Sequence, residues 1–416
     1  MFSPYRSVLQ APGALRFCLS AFVMRLPLSM YPVSLVLLIS LRDGDYAFGG
    51  YLTGAYIAGA AVGGPVLSRL ADKRGQRRVL TIWTGVHTLA VAGLIVAVYA
   101  GAPRWLLLVV AVVIGFSYLS VGALVRARWA GLFGGRSDQL TTAFSLESTL
   151  DEVIFVSGPI VASIVATQLD PVASFVVIAV LVVVGAMGLC LAPGGAAIVV
   201  DADVPRPPIP TAPLLLVVAT LVFVGMTLGG VDVATIAYVG QAGYAAWSGA
   251  VIACFALGSG VAGLFYGAVR WKRGVEIRLR DQAVLFGIMP VLLFLVPNTG
   301  VLAPLLFIVG LATAPMLIVS FGTAEKITPP ERLTEAMAWV NTGLNVGAGA
   351  IAPIIGVVAD RAGAGVALRI PWPAAVLGAV AALLAFVSVR RHVDRQARRA
   401  GGADVPWDDG ERAALP

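Results

Sequence analysis

Ser-Arg-Leu-Ala-Asp-Lys-Arg-Gly-Gln-Arg-Arg-Val-Leu, residues 68–80, is a compact cationic segment between two long apolar stretches. Residues 46–67 before it carry no charged side chain, and neither do residues 81–100 after it. A short charged turn between two apolar stretches is typical of a loop between helices that cross a membrane, because the charges stay in water while the helices enter lipid. The segment therefore predicts a helical hairpin in a polytopic membrane protein.

The composition of the whole chain agrees with this interpretation. Hydrophobic residues make up 59% and charged residues 12%, and the mean hydropathy is +0.91. Soluble domains carry about 45–50% apolar and about 25% charged residues. So much apolar surface requires lipid as its solvent. Because a helix needs roughly 20 apolar residues to cross a bilayer, 416 residues accommodate about a dozen crossings.

The apolar runs predict an all-α protein of twelve transmembrane helices in two pseudo-symmetric six-helix bundles. The first six spans are predicted at 15–40, 46–69, 79–100, 104–125, 145–168 and 172–192. The other six are predicted at 212–238, 245–269, 281–297, 301–322, 333–359 and 371–390. We expect bundles at 1–192 and 212–390, a Pro-rich cytoplasmic linker at 193–211 and a polar cytoplasmic tail at 391–416.

Cations are concentrated in alternate loops, and the formal net charge is +7. The loops after the second, fourth, eighth, tenth and twelfth spans are basic, whereas those at 42–45, 168–170, 240–243 and 297–300 are poorer in cations. The positive-inside rule then places both termini in the cytoplasm. This distribution favours contact with lipid over nucleic acid. The excess of Ala, Val, Gly and Arg is typical of a GC-rich bacterial genome, so we expect the cytoplasmic membrane.

The order of residues in the first basic loop resembles the signature of the major facilitator superfamily of transporters, Gly-x-Leu-Ala-Asp-Arg-x-Gly-Arg-Arg. The matching positions are Asp72, Lys73, Gly75, Arg77 and Arg78. Ser68 and Gln76 stand where the pattern has Gly and Arg. The resemblance implies that this loop, with Arg126 and Arg128, is a gate latch that binds the opposite half in one conformation only. The alternative is that the cations only set the topology.

The two sets of spans show internal repetition. Aligning Pro159 of span 5 with Pro353 of span 11 gives the sharpest match. The polar residues that then coincide are Glu147 with Asn341, and Asp151 with Asn345. Two related halves are typical of secondary transporters, which bind substrate near the midplane between the halves.

Charged residues inside the predicted spans are the first candidates for function, because a charge is costly in lipid. Arg25 lies about ten residues into span 1. Glu147 and Asp151 are four residues apart and share a face of span 5, whereas Glu152 points elsewhere. Asp151, with or without Glu147, is a candidate proton site tuned by Arg25. The alternative is a static ion pair of these acids with Arg25, Arg126 or Arg128.

Other polar and aromatic residues in the spans are further candidates. Asp232 lies two-thirds along span 7, where it either faces a wet central cavity, meeting substrate or proton, or caps a broken helix end. Substrate-contact candidates, besides Arg25 and Asp232, are Asn341, Asn345, Tyr31, Tyr118 and Trp339. For the asparagines, ties between helices are the alternative, and for the aromatic residues ordinary packing.

Gly158 and Pro159 predict a kink in span 5. This pair also resembles in part the Gly-Pro core of the exporter-branch signature, although Ala162 and Ser163 stand where glycines are expected. The resemblance therefore favours antiport.

We expect no enzymatic activity, because the sequence has no phosphate-binding loop and no catalytic constellation. We also expect no cofactor and no metal site, since the chain has only two histidines and its three cysteines fall inside apolar spans.

The functional hypothesis is a monomeric, proton-coupled exporter of small drug-like or metabolite compounds that works by alternating access. Sodium in place of protons stays open. A second hypothesis is a symporter that imports an anionic metabolite bound by Arg25. A third, of another class, is a sensor or scaffold with the same fold that transports nothing.

Overall fold

The computed structural model describes residues 3–133, 137–192, 211–269, 271, 273–329 and 332–399, and all regular structure in these ranges is helical. Ten helical segments within these described ranges are long and apolar enough to cross a membrane. Large apolar side chains such as Leu89, Val96, Val180 and Phe265 lie exposed on the outside of the molecule. Because such a surface is stable only against lipid, the chain is a multi-pass membrane protein.

The helices fall into two sets along the chain. The first set contains α1 Ser3–Leu9, α2 Ala14–Asp43, α3 Tyr46–Arg74, α4 Gln76–Tyr99, α5 Arg104–Ser117, α6 Val121–Phe133, α7 Ser137–Gln168 and α8 Ala173–Leu191. The second set contains α9 Thr211–Gln241, α10 Ser248–Ala268, α11 Val275–Ile288, α12 Thr299–Gly310, α13 Thr313–Ile327, α14 Leu333–Ala362, α15 Ala364–Ala367 and α16 Pro371–Arg399. Short 3-10 helices occupy Ala245–Trp247 and Met289–Leu295.

The ten candidate spans do not confirm the predicted count of twelve. The two predicted spans outside this set are 46–69 and 281–297. The first of these forms α3, a helix of 29 residues whose many glycines and tyrosines lower its hydropathy. The second is covered by the end of α11 and the following 3-10 helix, where Pro290 has no N–H to continue the α-helical hydrogen bonds.

Two predicted spans are broken into two helices each. The predicted fourth span forms α5 and α6, which are separated by residues 118–120. The predicted tenth span forms α12 and α13, and Pro315 in the first turn of α13 cannot donate to the carbonyl of Leu311.

The predicted linker lies outside the described residues, except that α9 begins at Thr211. The tail is described only to Arg399, and up to that residue it continues α16 as a helix.

The turns between helices lie on two faces of the molecule. One face is formed by the turns after α3, α6, α10 and α13, and we call it the basic face. The opposite face is formed by the turns after α2, α4, α7, α9 and α14, and we call it the closed face. Ion pairs and hydrogen bonds connect turns within a face. On the closed face, for example, Arg104 at the start of α5 pairs with Asp45 before α3 at 2.8 Å.

Near the closed face the two sets of helices are in close contact. α3 packs on α14 so tightly that a Cβ on Gly50 would overlap the backbone of Ala352. α7 packs on α10 in the same way, since a Cβ on Gly249 would overlap the carbonyl of Pro159. Glycine allows these close backbone approaches, as in other membrane helix pairs.

Toward the basic face α3 and α14 separate. Ala352, Gly349, Asn345 and Asn341 follow one another at three- and four-residue spacing along one face of α14. The first two contact α3, whereas the two asparagines are exposed. On α3, a Cβ at Gly64 would meet no atom of the described chain within 4 Å. The structure therefore has an opening between the two helix sets on the basic face.

Candidate substrate and coupling site

A buried arginine in α2 is the centre of the largest charged cluster in the described helices. Arg25 is 3% exposed. Its Nη2 contacts Oε2 of Glu147 at 2.5 Å, and its Nη1 contacts Oδ1 of Asp151 at 2.7 Å. The guanidinium fork thus bridges two carboxylates one turn apart on α7, a geometry that lysine cannot reproduce. The Nε atom donates to the carbonyl of Ala21 at 3.3 Å.

Glu147 is fully buried and has further partners. The indole Nε1–H of Trp129 in α6 donates to its Oε1 at 2.8 Å, and the thiol of Cys18 in α2 lies 3.7 Å from the same oxygen. Phe17 packs edge-on against Trp129. Both carboxylate oxygens therefore have partners, which a buried ionised acid requires.

Asp151 is the more exposed acid of the cluster. Its side chain is 32% exposed, and its Oδ2 receives a hydrogen bond from Arg126 of α6 at 3.3 Å. Arg128 forms no ion pair with any described residue, and its Nε donates to the amide oxygen of Gln76 at 3.0 Å. The cluster thus joins α2, α6 and α7 with two arginines and two carboxylates.

Glu152 takes a different direction, as its position on α7 predicts. Its carboxylate lies against Gly260 of α10, at the contact between the two helix sets. Within the described residues it has no hydrogen bond or ion pair.

Asp232 in α9 is half-buried and has no hydrogen bond or ion pair with any described residue. The glycines before it lie against other helices of the second set. A Cβ on Gly229 would contact the backbone of Ala348 in α14, and one on Gly230 would approach the ring of Pro371 in α16. α9 also contacts α2, the helix that carries Arg25. Asp232 is therefore a carboxylate inside the helix bundle that has no ionic partner among the described residues.

The three candidates in α14 are all exposed. Trp339, Asn341 and Asn345 lie in the part of α14 toward the basic face, and the two asparagines border the opening. The Nδ2 of Asn341 donates to the carbonyl of Met337 at 2.9 Å, one turn earlier in the same helix. Its amide oxygen stays available to a ligand.

The two candidate tyrosines are buried inside the first helix set. The hydroxyl of Tyr31 lies 2.7 Å from Nε2 of His87, and that of Tyr118 donates to the carbonyl of Met24 at 2.7 Å. His87 is buried too, and its Nδ1 lies 3.1 Å from the hydroxyl of Ser117. In the structure these hydroxyls are therefore engaged by protein partners.

His87 had no place among the candidates from sequence. Its only signal was that a histidine occurs in the middle of an apolar span, and such a residue needs a partner.

The first basic loop lies at the end of α3. Lys73, Arg77 and Arg78 are exposed, and in the described structure no hydrogen bond or ion pair joins them to the second helix set. Gly75 between the two helices has φ 84°, a backbone conformation that favours glycine. The side chain of Asp72 lies outside the described residues.

Gly158 and Pro159 lie within α7, which continues as one helix through both. A Cβ on Gly158 would overlap the hydroxyl of Ser29 in α2. Gly158 therefore allows α7 and α2 to approach closely, next to the cluster of Arg25.

The sequence also matches a protein-family model. The model described as Major Facilitator Superfamily matches residues 17–280 and 282–414. The chain belongs to the Major Facilitator Superfamily. No curated protein matches it in a sequence search.

Solved structures of the same superfamily fold are similar over most of their length. A point mutant of the nucleoside transporter NupG has a TM-score of 0.74 at 13% identity, covering 89% of this chain and 99% of that one. The POT family transporter PepTSo has a TM-score of 0.70 at 10% identity, covering 91% of this chain and 98% of that one. At such low identity the likeness shows the fold alone, and with the family it favours a transporter over an enzyme.

Proposed function

We propose that this member of the Major Facilitator Superfamily is a secondary active transporter that exports small, partly apolar compounds by alternating access, driven by protons. The main support is the packing of the two helix sets, which touch near the closed face and separate toward the basic face. Rocking of the sets about a central site would exchange the two openings. The exporter direction rests on the partial Gly158-Pro159 signature.

Asp232 and Asp151 are the proposed proton carriers. An unpaired carboxylate inside a membrane protein is costly when ionised, and protonation removes that cost. Asp232 meets this description, because it has no ionic partner among the described residues. A proton carrier must also be reached from water, and this favours Asp151, whose side chain is 32% exposed, over the fully buried Glu147.

The geometry gives less support to the import of an anion bound by Arg25. Its guanidinium already donates to two carboxylates, at 2.5 and 2.7 Å. An anionic substrate would have to displace one of them, and displacing Glu147 would leave a fully buried carboxylate without its cation.

The same proposal covers the arrangement in the cell. The basic face and both termini lie in the cytoplasm, the two helix sets are separate six-helix bundles joined by the linker, and the protein works as a monomer in the cytoplasmic membrane. The cation distribution between the loops supports this orientation.

The experiment uses purified protein in sealed vesicles with an imposed pH gradient and a pH-sensitive dye. A panel of lipophilic cations, drug-like compounds and organic acids is added in turn. We expect at least one compound to dissipate the gradient, and we expect Asp232→Asn to abolish this effect. Asp281→Asn is the matched control, because Asp281 is an exposed acid near the basic face that pairs with Arg280.

Three outcomes separate the hypotheses. Loss of coupling in Asp232→Asn or Asp151→Asn, with a normal Asp281→Asn, supports proton coupling through that acid. Compound-dependent proton movement that survives both substitutions contradicts the assignment of the carriers. If folded protein moves no proton with any compound, while sodium gradients are equally silent, a sensor or scaffold replaces the transporter hypothesis.

A further inference from the structure

The start of α3 is held by a carboxylate from the other helix set. Asp360 lies near the end of α14, and its Oδ1 accepts a hydrogen bond from the backbone N–H of Tyr46 at 3.1 Å. Its Oδ2 accepts from the backbone N–H of Ala47 at 2.6 Å. One carboxylate of the second set thus binds the first two N–H groups of a helix of the first set.

These two N–H groups belong to the backbone donors that an α-helix cannot satisfy by itself. The N-cap residue of α3, Asp45 of the same helix set, accepts from one backbone donor of the first turn, the N–H of Phe48, at 2.7 Å, while its other oxygen pairs with Arg104. Asp360 completes the cap, and a carboxylate is favourable there because the N-terminal end of a helix carries partial positive charge.

Two kinds of contact lie beside this cap. One joins the two helix sets, and the other fixes the end of α14 within the second set. A Cβ on Gly356 would overlap the carbonyl of Tyr46, so the backbones of α14 and α3 touch one turn before Asp360. Gln241 at the end of α9 donates to the carbonyl of Ala359 at 3.1 Å and accepts from the N–H of Ala364 at 3.1 Å. The end of α14 is therefore fixed where it meets α3.

We propose that Asp360 is a positioning residue that holds the closed face shut. The contact joins the two helix sets, so it exists only while their ends on this face are together. When they separate, the N–H groups of Tyr46 and Ala47 pass to water. Asp360 thereby stabilises the conformation that opens on the basic face relative to its alternate. This inference rests on the proposed alternating access.

The chain offers a matched control at the same helix end. Asp45 and Asp360 both accept hydrogen bonds from the first turn of α3, but only Asp360 comes from the other helix set. Asp45→Ala weakens the cap of α3 without separating the sets. Asp360→Ala removes the partner of the Tyr46 and Ala47 N–H groups and, with it, one hydrogen-bonded connection between the sets.

The reporter is a single cysteine at position 352, in a background whose three native cysteines are replaced. Ala352 is fully buried where α14 contacts Gly50 of α3. An Ala352→Cys thiol reacts with a bulky, water-soluble maleimide only when the two helices separate there, so its rate is proportional to the open population. A second protein that retains only Cys18, which is buried inside the first set, reports loosening of the whole fold.

We expect Asp360→Ala to accelerate modification at position 352 by about five- to tenfold. The substitution removes two hydrogen bonds to a charged acceptor from the closed conformation, and water replaces them only in part, so the open population rises. Asp360→Asn, which keeps one acceptor oxygen, should give a smaller increase. Asp45→Ala should change the rate by less than about twofold. The rate at Cys18 should stay the same in all variants.

Equal acceleration by Asp45→Ala and Asp360→Ala overturns the proposal, because capping alone would then explain it. Acceleration at Cys18 together with position 352 also overturns it, since the whole fold would then have loosened. The assay contains no substrate. If modification at position 352 accelerates only in the Asp360 variants, the role of Asp360 is supported even when no compound is transported. If compounds are transported but this modification rate is unchanged, the role of Asp360 is wrong and the proposed transport function still stands.

Discussion

The pair of Arg25 and Glu147 permits a quantitative test of how the charged cluster supports the fold. Arg25→Met removes the partner of Glu147 and leaves that acid with only the Trp129 indole and the Cys18 thiol. Glu147→Gln removes the charge that Arg25 faces at 2.5 Å. Breaking one side of a buried ion pair costs about 3–5 kcal/mol in soluble proteins. We expect losses at the lower end of this range, because Arg25 keeps Asp151 and Glu147 keeps the Trp129 indole when the other partner is replaced.

A double-mutant cycle converts this reasoning into a number. If each single substitution lowers the free energy of unfolding by about 3 kcal/mol, additivity predicts about 6 kcal/mol for the double variant. We expect roughly half of that sum, because the double variant has no uncompensated charge at this position, and Asp151 keeps Arg126 as its partner. Arg25→Lys should fall between wild type and Arg25→Met, since one ammonium cannot bridge both carboxylates.

The assay is reversible unfolding in mixed detergent micelles. Arg280→Met is the control, because Arg280 and Asp281 form a pair at 2.8 Å in which both side chains are well exposed. Such pairs contribute about 0–1 kcal/mol. Single-variant losses that simply add in the double variant would show that the two residues do not act as a pair, and the interpretation of the cluster would be wrong.

Three further predictions use the same unfolding assay. Gly63→Ala should lower the free energy of unfolding by about 1–3 kcal/mol, because its Cβ would overlap a carbonyl of α5. Gly64→Ala should be neutral, since its Cβ meets no described atom, and equal effects of the two substitutions would contradict the packing of α3 on α5. His87→Phe should cost about 1–3 kcal/mol, because the buried hydroxyl of Tyr31 loses its partner, and Tyr31→Phe in the same background should recover part of this loss. Trp129→Phe should cost about 1.5–3 kcal/mol by removing the indole donor of the buried glutamate, and no change would show that this hydrogen bond is unimportant.

Much of the fold follows from the sequence because lipid is a simple solvent. Ten of the predicted spans recur as candidate membrane helices, since a run of about 20 apolar residues has few other stable conformations. The breaks inside helices were harder to predict. Pro315 explains the break between α12 and α13, but nothing in the sequence of residues 118–120 distinguishes the break between α5 and α6 from an ordinary helix.

The charged cluster was partly predictable for a physical reason. A buried Arg25 needs an anion, and Glu147 and Asp151 lie one turn apart on a single face, so a contact among the three was among the alternatives. The sequence did not determine which arginine pairs with which acid. That choice depends on how α2, α6 and α7 pack, and the structure shows that Arg128 faces Gln76.

The contacts between the two helix sets were not predictable at all. Gly50 and Gly54 lie four residues apart on α3, a spacing typical of close helix packing, but small residues do not identify the helix that packs on them. Asp360 resembled any acid at a helix end, because its role depends on a backbone more than 300 residues away in the chain. Only the fold brings the end of α14 to the start of α3.

Contacts at the two ends of α3 are coupled, because both ends belong to one helix. At its first turn, α3 is tied to the second helix set by Asp360, and at its last turn it carries Lys73 and Arg74, which are exposed. Because α3 is one continuous helix, a tilt that brings its cationic end toward the second set moves its first turn away from α14. A latch formed by the basic loop and the contact made by Asp360 would therefore exclude each other. Weakening Asp360 should then raise the population in which the basic loop binds the second set, and strengthening one contact should weaken the other by the same free energy.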